Sequence, residues 1–185
     1  MSISAKQAVL AMERSRLVYP AEQVEYALDR MAAAISRDTR TENPIMLSVM
    51  NGGLIPLGML LPRLAFPLRI DYLHATRYRE KTFGTDLRWK KHNEVSLQDE
   101  TVVVVDDILD EGYTLEAIVE HCRNAGAKRV LSAVLVEKDH QRGAPFEADY
   151  VGLKAPDLYL FGYGMDYKGY WRNAAGIYAI SENDG

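Results

Sequence analysis

The stretch VVVVDDILDEGYTL, Val102 to Leu115, decides how the rest of this chain is read. Val102 to Val105 are apolar at successive positions, so both faces of that strand need cover, as in a central parallel strand between helical layers. It runs into acid: Asp106 and Asp107 stand at its C-terminal end, Asp110 follows, and Gly112 and Thr114 open a helical pattern beginning at Leu115. In an open α/β sheet, ligands bind beyond the carboxyl ends of the strands, and a glycine turn feeding a helix offers unpaired N–H groups to an anion. Acids alone after a strand are an ordinary ending. Three acids, a glycine and a hydroxyl in one turn point instead to a phosphosugar bound with Mg²⁺, because hard cations take oxygen ligands and arrive with substrate phosphates.

The common phosphate motifs are missing. No GxxxxGK followed by Ser or Thr occurs, and the glycines around Gly162 and Gly164 lack GxGxxG spacing, which excludes a P-loop and a dinucleotide fingerprint. A length of 185 residues sets the expectation of a single domain, and 48% hydrophobic with 26% charged residues is ordinary for a globular chain. A net charge of −4 argues against a nucleic-acid surface, which needs clustered Lys and Arg. The lone Cys122 rules out an internal disulfide and any CxxC metal site, and its helical setting in VEHCRNAG predicts buried packing. Neither a signal peptide nor an apolar run of membrane-spanning length is evident, so a cytoplasmic protein without membrane contact is expected.

Outward from the motif, changes of hydrophobic period mark the elements. A helix is expected over roughly Ala5 to Arg16; Pro20 then precedes Val24, Leu28, Met31, Ala32 and Ile35 at helical spacing, ending near Asp38. Ile45 to Met50 reads as a short buried strand, Asn51-Gly52-Gly53 as a turn, Leu57 to Leu61 as a short helix and Leu68 to His74 as a strand. Arg77 to Gln98 is charged and without sustained period, which suggests a long loop or a mobile hairpin. The helix from Leu115 to about Ala125 meets Gly126, a fitting C′ residue, and Val130 to Val136 is again apolar throughout. Tyr150 to Leu153, Tyr159 to Gly162 and Ile177 to Ile180 are short runs that extend the sheet or form a small hood. Alternating strands and helices give an α/β fold, with a central mainly parallel sheet flanked by helices. The core is expected over about 40–150, and a hood from the N-terminal segment and about 150–185.

The motif resembles the phosphoribosyl-pyrophosphate (PRPP) motif of type I phosphoribosyltransferases. Leu135 to Asn173, LVEKDHQRGAPFEADYVGLKAPDLYLFGYGMDYKGYWRN, is similar to the purine-binding and C-terminal region of their purine-salvage branch, the hypoxanthine-guanine phosphoribosyltransferases. The likeness runs from roughly Ile45 to Ile180, with two motifs in the right order. It implies Mg²⁺-dependent transfer of a phosphoribosyl group from PRPP to hypoxanthine or guanine, giving IMP or GMP and pyrophosphate, by a homodimer or homotetramer. A xanthine-preferring enzyme is the nearest alternative, since xanthine shares O6 and differs at C2.

Residue roles follow from that resemblance. Asp106 and Asp107 bind the ribose hydroxyls directly or through Mg²⁺, and the N–H groups from about Asp110 through Glu111, Gly112 and Tyr113 to Thr114, with the Thr114 hydroxyl, hold the 5′-phosphate. Asp110 lies near N7 and acts as general base, although capping the next turn is equally compatible with its position. Asn51 and Gly52 match a loop facing pyrophosphate, and Arg172 an arginine that contacts it; a plain strand-to-helix turn accounts for the first as well. Asp166 joins Asp106 and Asp107 as a metal residue. Lys138 donates to O6 and N7 and disfavours adenine, Tyr159 stacks on the base, and the backbone at Leu160 reads the purine edge. Arg77 and Tyr78 fall at a lid where relatives show Ser-Tyr, so Arg77 departs from the pattern. Glu111 departs too, since relatives carry Ser or Thr there; its side chain is expected to point away from the anion.

Two rival classes are weaker. A regulator that keeps the PRPP fold without catalysis is expected to lose Lys138 or Asp110 and gain a basic face, and this chain does neither. A phosphoacceptor receiver domain begins with an acid pair after an apolar strand, but here the pair lies past the midpoint and Gly112 and Thr114 follow it.

Overall fold

The computed structural model describes residues 3–77, 87–139 and 146–180. In chain order these form α1 (Ala5–Arg14), β1 (Arg16–Pro20), α2 (Ala21–Thr39), β2 (Ile45–Val49), α3 (Leu54–Leu60), β3 (Arg69–Arg77) and β4 (Leu87–Lys91). After these come β5 (Thr101–Leu109), α4 (Tyr113–Asn124), β6 (Arg129–Asp139), β7 (Tyr150–Pro156), β8 (Tyr159–Phe161) and β9 (Gly176–Ile180). A six-stranded sheet runs β4-β3-β2-β5-β6-β7, parallel except for the β4 edge. A separate antiparallel sheet, β1-β9-β8, forms the hood.

The valine run behaves as a doubly covered strand. Val103 and Val105 join the core under α2 and α3, while Val102 and Val104 join the core under α4, and all four are 0% exposed. Burying one such side chain is worth about 1.5–3 kcal/mol, so β5 pins both helical layers to one sheet. α2 presents Val24, Leu28, Met31 and Ile35 to the first of these cores, as the helical spacing predicts. α1 begins with a capping box between Ser4 and Gln7, and α4 gives way to Ala125 and a left-handed Gly126 (φ 85°).

Three sequence expectations are refined. β5 extends to Leu109, so Asp106 and Asp107 lie within the strand and not past its end; its ladder with β6 continues to Leu109 beside Glu137. Its pairing with β2 stops at Val105 beside Ser48, where the chain turns away through Asn51. Second, Tyr150–Pro156 joins the main sheet beside β6, so the hood begins with β8 and is completed by β1, whose short run between two helices gave no strand signal. Third, of the loop and hairpin readings of the Arg77–Gln98 segment, the described residues favour the hairpin: β4 pairs with β3 antiparallel and seats Trp89 against the α4 core.

That seat has a pH consequence. Trp89 stacks on His92 at 4.8 Å and packs on His121 of α4 at 4.4 Å. Burial, and then the nearby His92, holds the His121 pKa below its ordinary value. The unfolded chain therefore takes up the proton first as pH falls below about 6.5, and the contribution of neutral His121 is lost through that window. The Tm advantage of the wild type over His121→Gln should shrink between about pH 7.5 and about pH 5.5; a gap that does not change with pH would show that His121 titrates alike in both states.

Candidate active site

Read along the parallel strands alone, the sheet order reverses between β2 and β5: β3 lies to one side of β2, and β5, β6 and β7 follow on the other. Ligands in open α/β sheets bind at such a reversal, outside the carboxyl ends of the strands. A cleft of about 1080 Å³ opens there, between the strand ends and the hood. It brings together Asn51, Gly52, Asp106, Asp107, Asp110, Thr114, Lys138, Tyr159, Leu160, Asp166 and Arg172 from the residues singled out in the sequence.

The floor is acidic. Because β5 outruns β2, Asp107 emerges beside the Asn51-Gly52 turn, where the Met50–Asn51 peptide is cis. Asp107 presses on Gly52 so closely that a Cβ there would overlap its carboxylate. Burial, with the neighbouring Asp107 charge second, pushes the Asp106 pKa well above the usual carboxylate range. Burial also raises Asp107, opposed by its hydrogen bond with Asp106 and by the Arg172 charge. Two desolvated carboxylates side by side favour a proton, a cation or a set of hydroxyl donors between them. Among the described residues no cluster of His, Cys, Asp and Glu forms a ready metal cage, so a metal held here needs oxygens from its ligand as well.

The cleft end of α4 is built by Gly112. Its φ of 86° is left-handed and it is the N-cap of α4, with no side chain capping the first turn. The Glu116 N–H bonds the Gly112 carbonyl at 2.9 Å, and the N-terminal end of the helix carries the positive end of its dipole, which favours an anion. Thr114 lines the cleft; Glu111 and Tyr113 are exposed and do not.

The hood closes the other side. Gly164, with φ 111°, approaches the Gly52 carbonyl and Asp107 Cβ. Arg172 donates to the Gly164 carbonyl and pairs with Asp166, and it lies 3.8 Å from Asp107. Asp166 also accepts from the Gly169 N–H at 2.6 Å. Arg172 and Asp166, read from sequence as separate anion and metal residues, are thus an ion pair. Tyr159 packs edge-on against Tyr167 at 5.5 Å, and Leu160 is buried beneath the cleft.

At the far end, Lys138 is nearly enclosed, with its side chain 12% exposed. Its ammonium donates to Asp110 at 3.3 Å and to Asp157 at 3.2 Å. Asp157 was not legible in the sequence, because an acid after a strand-ending proline is commonplace; nor were Arg14 and Arg16, which reach the cleft from the N-terminal segment. Tyr78 lies outside the described residues; Arg77 ends β3, paired with Leu87. Cys122 is buried under α4, and burial pushes its thiol up to about 12, so it is inert packing.

Residues 18–168 match the family model described as phosphoribosyl transferase domain. A hypoxanthine-guanine phosphoribosyltransferase of Staphylococcus epidermidis is 29% identical over 153 residues, 82% of this chain and 86% of that protein; one of Bacillus subtilis is 27% identical over a similar span, covering 85% of that protein. Among solved structures, a hypoxanthine phosphoribosyltransferase of Staphylococcus aureus superposes with a TM-score of 0.87 at 24% identity, covering 95% of this chain and 96% of that one. A hypoxanthine-guanine phosphoribosyltransferase of Bacillus anthracis, solved with HEPES in its active site, superposes at 0.84 with 26% identity, covering 89% of this chain and 98% of that one.

Proposed function

The chain belongs to the phosphoribosyl transferase domain family and is a phosphoribosyltransferase, and we propose that it transfers the phosphoribosyl group of PRPP to N9 of hypoxanthine or guanine, releasing pyrophosphate. The observation that carries this reading is the set of groups gathered in one cleft: the N-terminal end of α4 at left-handed Gly112, the Asp106–Asp107 pair, and the enclosed Lys138 ammonium. These suit a 5′-phosphate, a ribose diol and a 6-oxo group in turn.

In this reading the α4 amides and Thr114 hold the 5′-phosphate, and Asp106 and Asp107 accept from the ribose hydroxyls. Asp106, Asp107 and Asp166 are the residues that would hold Mg²⁺ together with the sugar's own oxygens, and the raised pKa of the paired carboxylates supports a cation there. Bound there, the ion supplies positive charge against the departing pyrophosphate. Asn51, Gly52 and Arg172 face that leaving group. Lys138 donates to O6, a contact that adenine's exocyclic amine cannot return because both would be donors. Tyr159 stacks on the ring and the Leu160 backbone reads its edge. Asp110 accepts the proton from N7 as N9 attacks C1′. Arg77 and Tyr78 belong to the segment that would cover the reaction.

The test is product formation from PRPP and Mg²⁺ with hypoxanthine, guanine, xanthine and adenine offered separately. Nucleotide from the first two is expected; turnover of adenine alone overturns the assignment of Lys138. Because Glu111 is exposed and off the cleft, Glu111→Thr should leave the apparent KM for PRPP within about twofold, the effect of a screened surface charge. A large fall in that KM would show that Glu111 opposes binding.

A further inference from the structure

We propose that Asp157 is a positioning residue for base recognition, holding the Lys138 ammonium at the purine edge so that Asp110 does not have to; the inference rests on the reading of the cleft just given. The register of the sheet makes the arrangement. β5 ends with Leu109 beside Glu137 of β6, and Lys138 lies beside Ala155 of β7, so Asp110, Lys138 and Asp157 follow one another across the carboxyl ends of three adjacent parallel strands. The lysine is enclosed, whereas the acids flanking it are 51% and 58% exposed. One ammonium is thus shared between two carboxylates at nearly equal distances, 3.3 and 3.2 Å.

The sharing matters because the two acids have different work. An ammonium has three donors. With one given to Asp157, Lys138 stays in place when Asp110 turns its oxygen toward N7, and a second donor is left for O6. Without Asp157, the ammonium has Asp110 as its remaining carboxylate partner. It would then settle on that carboxylate, drawing the donor away from O6 and occupying the acceptor the base needs. Asp157 lies on the loop between β7 and β8, two strands across the sheet from β5 and its turn into α4, so binding of PRPP should not depend on it.

Asp157→Asn and Asp157→Glu decide the matter in the full-length enzyme. For Asp157→Asn we expect the KM for hypoxanthine to rise about tenfold and kcat to fall about tenfold, the loss of one charge-assisted hydrogen bond, with the KM for PRPP unchanged. Asp157→Glu should recover most of both. Competitive acetylation of the free protein, followed by mass spectrometry at Lys138, gives a readout that needs no turnover: labelling should speed up severalfold in Asp157→Asn and return toward the wild-type rate in Asp157→Glu. Unchanged labelling, or an equal rise in both Michaelis constants, overturns the positioning role. If the wild type forms no nucleotide from any 6-oxopurine, the proposed function fails instead, and the labelling rates still show whether Asp157 holds Lys138.

Discussion

Gly164→Ala is expected to unfasten the hood from the sheet and lower Tm by about 4–24 °C. A side chain at φ 111° is strained whatever the space around it, at a cost of about 1–3 kcal/mol. Here the space is also missing. The new Cβ would meet the Gly52 carbonyl, and would stand 3.0 Å from both Asp107 Cβ and Pro56 Cδ, so it is opposed by backbone and by a buried strand. Overpacking of that kind adds about 1–3 kcal/mol, and for a chain of this length each kcal/mol is worth about 2–4 °C. Activity should fall with stability, because the same seam sets Asp107 against Arg172. Gly58→Ala in α3 is the control: a Cβ there meets nothing within 4 Å, so helix propensity should stabilise it by about 0.5–1 kcal/mol. Thermal melts of the two variants decide the point, and a Gly164→Ala protein that melts with the wild type would mean that the seam yields freely.

Asp110→Asn should separate chemistry from folding. The side chain is 51% exposed and the substitution keeps its shape, so Tm should hardly move. In the role proposed for Asp110, loss of the general base costs about 10²–10⁴ in rate, and kcat for hypoxanthine should fall by that factor while the KM for PRPP stays close to wild type. Asp157 still holds Lys138 in this variant, which keeps the base-binding side of the cleft in order. Full activity in Asp110→Asn would remove it from the mechanism and leave only a turn-capping role.

Much of this was legible in the chain because it is local. Val102 to Val105 can only be a strand covered twice, Gly112 can only be there for a turn into α4, and the α2 spacing marks its buried face residue by residue. What sequence could not supply are pairings whose partners are remote. β1 is strand because Arg16 lies beside Ala179, and β4, a charged LRWKK, is strand because β3 offers it an edge and Trp89 an anchor. The same holds for the site. Paired carboxylates after a valine run are visible as letters, but the Arg172–Asp166 ion pair and the Asp110–Lys138–Asp157 row exist only once hood and strands are stacked. The end of the apolar run also misplaced the strand end, since a ladder kept up by β6 alone carries β5 past the point where the apolar residues stop.

That one-sided ladder works as a cantilever. From Asp106 onward β5 is braced along a single flank, projecting from the sheet as a stiff beam with Asp106 and Asp107 mounted on it. The spacing of the two acids is therefore set by sheet geometry and is independent of the turns around the cleft.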